Sequence, residues 1–434
     1  LLAKKDYKGI NSIFSGTKEM FKKIGIFILI IGFLFSFVVP IFIKESSFSN
    51  TYILLTFMLF IIKNSVDYFM SVPRLVIQAD QKMYKINLGI YGYRIIEVII
   101  ELILLVMGVS YSVILIPSIF VRIIQNYRIN KKIFSLYPWL KQVEEKDFST
   151  KSDIKHMLVH RFVGLVSNNI DIVILSSFVG SKAVAIYSSY NYLIKFAYDT
   201  TSQMFNSLKD GLGNVLQVET KEKIKGIINE FFSLFSFVAS IIVVTFYFVI
   251  NNFIGMWVGK TYVVNHTTLI LFLIIVYYHI SIKSLTIIRT AMGLFKETKI
   301  MAMVEALINL VLSIILVNIM GINGVLIGTV ASFLLTNFWY YPYIIYKKLF
   351  NESIFQYITK TSFNIIIIII TILILTPVYN FVNINYTNVK FINWVISSGL
   401  IGIITTLFIA ITYTISYNEF RIIVSRGKKL IRRK

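Results

Sequence analysis

Cysteine is absent from the 434-residue chain. That excludes disulfides, thiolate metal sites and cysteine nucleophiles. Charge is scarce as well: Asp, Glu, Lys and Arg make up 15% of the residues, where a soluble protein carries about 25%. No alternating β pattern of the kind that builds a membrane barrel is present. Nor is there a Gly-rich phosphate loop of the form GxxxxGK[ST], so nucleotide hydrolysis has no recognisable motif. Leu1 to Lys23 is basic rather than apolar and does not read as a cleavable signal peptide. The chain begins at Leu1 instead of methionine, which reads as a start inside a longer protein.

What remains is apolar sequence. Hydrophobic residues make up 56% of the chain, and the mean hydropathy is +0.75. Windows of about 20 apolar residues, each long enough to cross a hydrocarbon core of roughly 30 Å, recur throughout. Twelve helices are expected: Ile24–Ile43, Thr51–Val72, Ile86–Met107, Ser112–Phe134, His156–Gly180, Ala183–Leu208, Ile228–Asn251, Val263–Ile288, Lys299–Met320, Gly324–Tyr346, Ile358–Tyr379 and Phe391–Tyr413. The fold class is therefore an all-α polytopic membrane protein with about 12 transmembrane helices.

Lys and Arg alternate from junction to junction. Lys18, Lys22 and Lys23 precede the first helix, Arg74, Lys82 and Lys85 follow the second, and Lys131, Lys132 and Lys146 follow the fourth. The tail reads RGKKLIRRK, while the intervening turns hold only Lys44, Lys182, Lys260 and Lys390. By the positive-inside rule both ends lie in the cytoplasm. The formal charge of +22 is then a topology signal beside anionic lipid, not a nucleic-acid footprint.

Ten ionisable residues inside the expected spans stand out: Lys63, Asp67, Arg94, Glu97, Glu101, Asp171, Lys195, Asp199, Lys283 and Glu305. Each costs about 2.5–3.5 kcal/mol at the bilayer centre on insertion scales. Facing lipid, the set would exceed a typical folding margin of about 5–15 kcal/mol. They must face one another or a hydrated interior. Lys63/Asp67, Glu97/Glu101, Lys195/Asp199 and His279/Lys283 are i,i+4 pairs, and Arg94/Glu97 is i,i+3, so each pair shares a helical face. Ser188, Asn191, Lys195, Asp199 and Gln203 form one polar stripe, and Glu305 with Asn309 another. Counting from the GSK turn at about 1.5 Å per residue, Asp171 lies roughly 14 Å deep and Lys195 roughly 20 Å, a common depth. The two are expected to occupy one hydrated interior. If each pair merely neutralises itself, the set holds helices together; a solute pathway accounts better for so many.

Four stretches resemble one family in order and spacing. They are NNIDIVILSSFVGSKAVAIYSSYNYLI, FIGMWVGKTY, IIRTAMGLFKETK and EALINLVLSIILVNIMGINGVLIGTVAS. The chain resembles the polysaccharide-repeat-unit (O-antigen or capsule type) flippases of the multidrug/oligosaccharidyl-lipid/polysaccharide exporter superfamily. That resemblance implies two lobes around a central polar cavity and normally fourteen helices, the first two being absent here. It divides the chain into a basic segment at 1–23, first-lobe helices at 24–134 and a linker at 135–155. Second-lobe helices follow at 156–346, then a terminal helix pair at 358–413 and a basic tail at 414–434.

The resemblance further implies a bacterial cytoplasmic-membrane location. Its substrate would be an undecaprenyl-diphosphate-linked glycan carried to the outer leaflet by alternating access, with membrane lipids, a polymerase and other glycan-assembly proteins as partners. No cofactor is implied and no catalytic residue. Lys63, Arg94, Lys195 and Lys283 are then the candidates for the diphosphate, because a dianion needs cations. Tyr91, Asn191, Tyr187 and Tyr192 are candidates for sugar. Asp67, Glu97, Glu101, Asp171, Asp199 and Glu305 are the cavity acids, and Asp171, Glu97 or Glu305 would bind a coupling Na+ or H+.

Two other functions stand beside this one. A small-molecule or drug exporter of the same superfamily would favour an acid-dominated cavity. A membrane glycan polymerase or ligase would need a catalytic surface outside the membrane, and the short outer turns offer little room. Weaker signals are His156 and His160 at i,i+4, read as interfacial packing, and His279, read as a passive hydrogen-bonding group. Pro117 is expected to kink its helix, and GINGVLIG to make a tight turn.

Overall fold

The computed structural model describes residues 6–43, 48–80, 82–148, 169–292, 294–384 and 391–432. No strand occurs among them. The protein is an all-α, multi-pass membrane protein. Among the described residues, seven helices are long and apolar enough to cross a membrane by length and composition. Four more are long enough but carry charge or polar stripes, and those four hold most of the residues of interest.

The chain divides into two compact units, Leu1–Asn169 and Ile170–Lys434. In the first unit α1 (Tyr7–Ser36), α2 (Val39–Phe42), α3 (Asn50–Met70), α4 (Pro73–Ala79), α5 (Tyr84–Val106) and α6 (Tyr111–Leu136) follow one another. The long helices pack in the order α1, α3, α6, α5. Gly25 and Gly32 let α1 approach α3: a Cβ on Gly32 would meet the Ile61 side chain at 2.7 Å. Ser49 caps α3, its hydroxyl accepting from the Tyr52 amide at 3.2 Å, which starts the helix one residue before the expected span. α1 begins at Tyr7, well ahead of Ile24, so most of the basic segment is helix.

The chain after α6 is a strap laid along the first turns of α1. Asn11 donates to the Trp139 carbonyl and accepts from the Lys141 amide. The Val143 amide donates to Ser15 Oγ at 2.8 Å and the Asp147 amide to the Ser12 carbonyl at 3.2 Å. Gly16 makes the approach possible, because a Cβ there would sit 2.1 Å from the Asp147 carbonyl oxygen. The part of the expected linker beyond residue 148 lies outside the described residues, as does the start of the expected helix His156–Gly180 with His156 and His160.

The second unit comprises α7 (Asn169–Phe178), α8 (Ser181–Val218), α9 (Lys221–Trp257), α10 (His266–Ser281) and α11 (Lys283–Ala291). It continues with α12 (Phe295–Met320), α13 (Ile322–Leu335), α14 (Asn337–Phe350), α15 (Phe355–Ile384), α16 (Phe391–Ser416) and α17 (Asn418–Arg432). α9 is the hub: Phe235, Ala239, Val244 and Ile254 are completely buried in the core it shares with α8, α10, α15 and α16. The terminal pair is not a loose appendage. Ser240 of α9 hydrogen-bonds Tyr413 of α16 at 3.0 Å, and Tyr413 and Tyr417 both donate to Asn364 of α15. These bonds satisfy the buried hydroxyls and the Asn364 Oδ1, which would be costly to bury unpaired.

α12 and α13 form the tightest hairpin. Gly321 turns it with φ 56° and ψ −127°, a conformation that favours glycine. A Cβ on Gly324 would meet the Leu316 carbonyl oxygen at 2.2 Å, and one on Gly328 would meet Ser313 Oγ at 2.5 Å. This is small-xxx-small packing, which brings two backbones together where lipid offers no hydrophobic drive. The next connection is a break. Thr336, at φ −127° and ψ −102°, separates α13 from α14 within the expected span Gly324–Tyr346.

Candidate functional site

The first unit gathers its charges into one network on α3, α5 and α6, joined by Arg74 of the short α4. Arg94, Glu97 and Glu101 project from one stripe of α5, and α6 lies between α5 and α3. Lys63 reaches across from α3 to lie 2.7 Å from Glu97 Oε1 and 2.9 Å from Glu101 Oε1. Arg94 donates to Glu97 Oε2 at 3.0 Å. Arg122 of α6 pairs with Asp67 at 2.9 Å and lies 3.7 Å from Glu97. Ser118, next to the helix-interior Pro117, donates to Glu101 at 2.7 Å. Asn126 donates to the other Asp67 oxygen and accepts from Arg74, each through its amide.

The i,i+4 spacing thus has a different meaning from self-neutralisation. Lys63 and Asp67 do not pair with each other; each finds its counter-charge on another helix. Glu97 and Glu101, two like charges a turn apart, are held together by the ammonium between them. Arg122 and Arg74 belong to the network and are missing from the expected set, although Arg122 stands inside the apolar run SVILIPSIFVRIIQ, where the rule that singled out the others applies equally.

With these two, four cations face three acids, a surplus of one positive charge. Burial grades the network. Glu97 is 2% exposed, one of only two buried side chains on α5. Arg94, at the other end, keeps its side chain 57% exposed. Tyr91, one turn away and 65% exposed, shares its face.

The second unit handles its acids differently. Asp171 accepts from Tyr187 at 2.8 Å and from Thr329 at 3.3 Å through one oxygen. Its other oxygen is enclosed and has no hydrogen-bond partner among the described residues. Thr329 also accepts from Asn309 at 2.9 Å. The glycine-lined hairpin makes this chain possible by setting α13 directly against α12. Glu305, one turn from Asn309, accepts from Thr336 at 3.1 Å and from the Asn337 amide. It therefore sits at the break, facing the N-terminal end of α14, where unpaired backbone N–H groups favour an anion. Neither Asp171 nor Glu305 has an ion pair among the described residues.

Lys195 and Asp171 were expected to share one interior, yet no hydrogen bond or ion pair joins them among the described residues. Lys195 is exposed on α8, as is Tyr192 three residues before it, while Asn191 and Asp199 are half-buried. Lys195 and Asp199 form no ion pair with each other. Tyr187 is buried and holds Asp171, so it is not available to stack on a sugar. Lys283 lies over the Tyr198 ring, 5.3 Å from its centre. His279 packs edge-on to Phe333 at 5.1 Å, aromatic packing where a hydrogen bond was expected.

No family model matches the sequence, and no curated protein matches it. A solved structure does: a lipid II flippase, MurJ, in an inward closed conformation. The similarity covers 95% of this chain and 86% of that chain, with a TM-score of 0.71 and 14% sequence identity. The chain shares the MurJ fold. At that identity the likeness speaks for architecture, and the side chains must carry any statement about what is moved.

Proposed function

We propose that this protein moves a lipid-linked oligosaccharide, an undecaprenyl-diphosphate-bearing repeat unit, from the cytoplasmic to the outer leaflet by alternating access. The observation that carries the reading is the charge network of the first unit. A cluster of three cations and three acids within three membrane helices, with Arg74 of α4 beside it, is costly unless it serves a charged solute. Its cationic surplus and its exposed end, Arg94, suit an anionic headgroup. Arg's planar fork matches phosphate oxygens.

A second feature supports a sugar beside the phosphate. Tyr91/Arg94 on α5 and Tyr192/Lys195 on α8 repeat one arrangement: an exposed ring and an exposed cation three residues apart on a helix. Each offers a flat apolar face next to a positive charge, which is the chemistry of a glycosyl diphosphate. The fold of a lipid II flippase agrees with a greasy tail staying in lipid while the head crosses. An inside-negative membrane potential would drive the anionic head outward by roughly 2.3 kcal/mol per charge per 100 mV.

For the coupling ion we favour Asp171. Glu97 is compensated by cations and Glu305 accepts from the Thr336 and Asn337 side chains, whereas one Asp171 oxygen is enclosed and has no hydrogen-bond partner among the described residues. Na+ or H+ would bind there. D171N, reconstituted in vesicles, is expected to flip substrate at a rate that no longer follows the Na+ or pH gradient. Unchanged gradient dependence removes Asp171 from that role.

The cellular test is a deletion strain, which should accumulate lipid-linked repeat units on the cytoplasmic face. Accumulation of single units on the outer face would instead mark a polymerase.

A further inference from the structure

The end of α1 that precedes its apolar run carries a second cationic feature, remote in character from the membrane network. Between α1 and the strap lies a cavity of about 560 Å3, within the ~300–1,000 Å3 range of small-ligand sites. Lys18, Lys22, Lys23 and Lys146 line it with a single acid, Glu19. Glu19 is engaged by Lys23 and Lys146, both at 2.7 Å. Lys18 reaches only the neutral Gln142 amide oxygen, at 3.1 Å. Lys22 is exposed and forms no ion pair among the described residues. Two ammonium groups therefore lack a counter-charge, and the cavity as a whole has a surplus of three positive charges.

The direction of the site is as informative as its charge. Lys18, Lys22 and Ile26 follow one another at i,i+4 and form a single stripe of α1. Along it the lining changes from cationic to apolar, and Phe69 of α3 continues the apolar side. A ligand filling this cavity would have an anionic head and a hydrocarbon tail that leaves toward the bilayer. The strap closes the polar side, fixed to α1 by the hydrogen bonds of Ser12, Ser15 and Asn11.

We propose that this cavity binds the phosphate-bearing headgroup of a membrane lipid on the basic face of the protein. It would do so independently of whether the chain flips glycans. The phosphate has two sources, a resident anionic phospholipid or the diphosphate of a polyprenyl carrier, and the two can be separated.

The experiment is native mass spectrometry of the full chain, titrated in detergent with dioleoylphosphatidylglycerol in one arm and undecaprenyl diphosphate in the other. K18Q/K22Q is expected to bind about 30-fold more weakly than wild type, at about 1 kcal/mol per surface lysine facing anionic lipid. K131Q/K132Q, which removes two exposed lysines of α6 outside the cavity, should bind like wild type, and K18R/K22R should retain binding. Loss in the phospholipid arm alone assigns the site to a resident lipid, loss in the carrier arm alone to a docking step, and loss in both to phosphate lipids generally. Equal affinity of K18Q/K22Q and wild type in both arms overturns the proposal, as does an equal loss in K131Q/K132Q. An unchanged melting temperature of K18Q/K22Q separates lost binding from lost folding.

Discussion

Lys63 lies 2.7 Å from Glu97, and both are withdrawn from the surface of the first unit, at 8% and 2% exposure. The pair joins α3 to α5 although α6 packs between those helices. Breaking a buried ion pair by removing one partner strands the other charge and costs about 3–5 kcal/mol. K63M is therefore expected to lower stability by about 3 kcal/mol, read from the midpoint of unfolding in mixed micelles. K63M/E101Q should recover part of the loss, because Glu97 keeps Arg94 and Arg122 whereas Glu101 has no other cation among the described residues. An unchanged midpoint for K63M would mean that the pair is not buried in the membrane.

Arg94 separates function from stability. Its side chain is more than half exposed, and Glu97 keeps Lys63 and Arg122 without it. R94Q is expected to leave the melting temperature within a few degrees of wild type while cutting transport at least tenfold, and R94K to restore only part of the rate because an ammonium cannot grip two phosphate oxygens at once. Parallel flipping and melting measurements test this. A stability loss matching that of K63M would make Arg94 a strut instead.

Much of this arrangement was legible in the chain. Apolar run lengths located most of the described helices, although Val263–Ile288 and Gly324–Tyr346 are each two helices, and the cost of intramembrane charge singled out Lys63, Arg94, Glu97 and Glu101, which converge in one network. Partner choice was not legible. Lys63 and Asp67 share a face by spacing, but only the packing order α1, α3, α6, α5 shows that each is paired from another helix. Depth likewise placed Asp171 and Lys195 at one level without telling which way each side chain points around its axis. Arg122 was open to the same reasoning as its neighbours. The break at Thr336 carries neither glycine nor proline, so nothing local announces it.

The α12–α13 hairpin should tolerate no side chain at Gly324. The nearest atoms are backbone of Leu316 and Val317, which cannot rotate away. G324A is expected to cost about 1–3 kcal/mol, the usual range for overpacking, and to separate Thr329 from Asn309. Gly399, with nothing near its Cβ position, supplies the control: G399A should be close to neutral. Both are read from unfolding midpoints, and a neutral G324A would contradict the packing.

The strap should loosen in acid. Glu19 lies ahead of the apolar run of α1, and hydrogen bonds from Lys146 and then Lys23 hold its carboxyl down to about 2. A depressed carboxylate stabilises above its ordinary value of 4.5 and loses that contribution as pH falls toward 2. Protection of the Val143 and Asp147 amides from hydrogen exchange is expected to stay level from pH 8 to about 5, after correction for intrinsic rates, and to fall below that. E19Q should show the low protection already at neutral pH. Equal protection in E19Q and wild type would show that the strap is held by its backbone contacts alone.

The central proposal is that the protein carries an anionic, sugar-bearing lipid head across the membrane and that the exposed cations Arg94 of α5 and Lys195 of α8 are each needed for it. Its most direct measurement is flipping in proteoliposomes of the purified chain, using undecaprenyl diphosphate linked to a fluorescent saccharide and an impermeant quencher added outside. Wild type should expose the initially inward half of the label within minutes, and R94Q/K195Q should leave it protected. A rate in wild type no faster than in empty vesicles, or undiminished in R94Q/K195Q, would contradict the account.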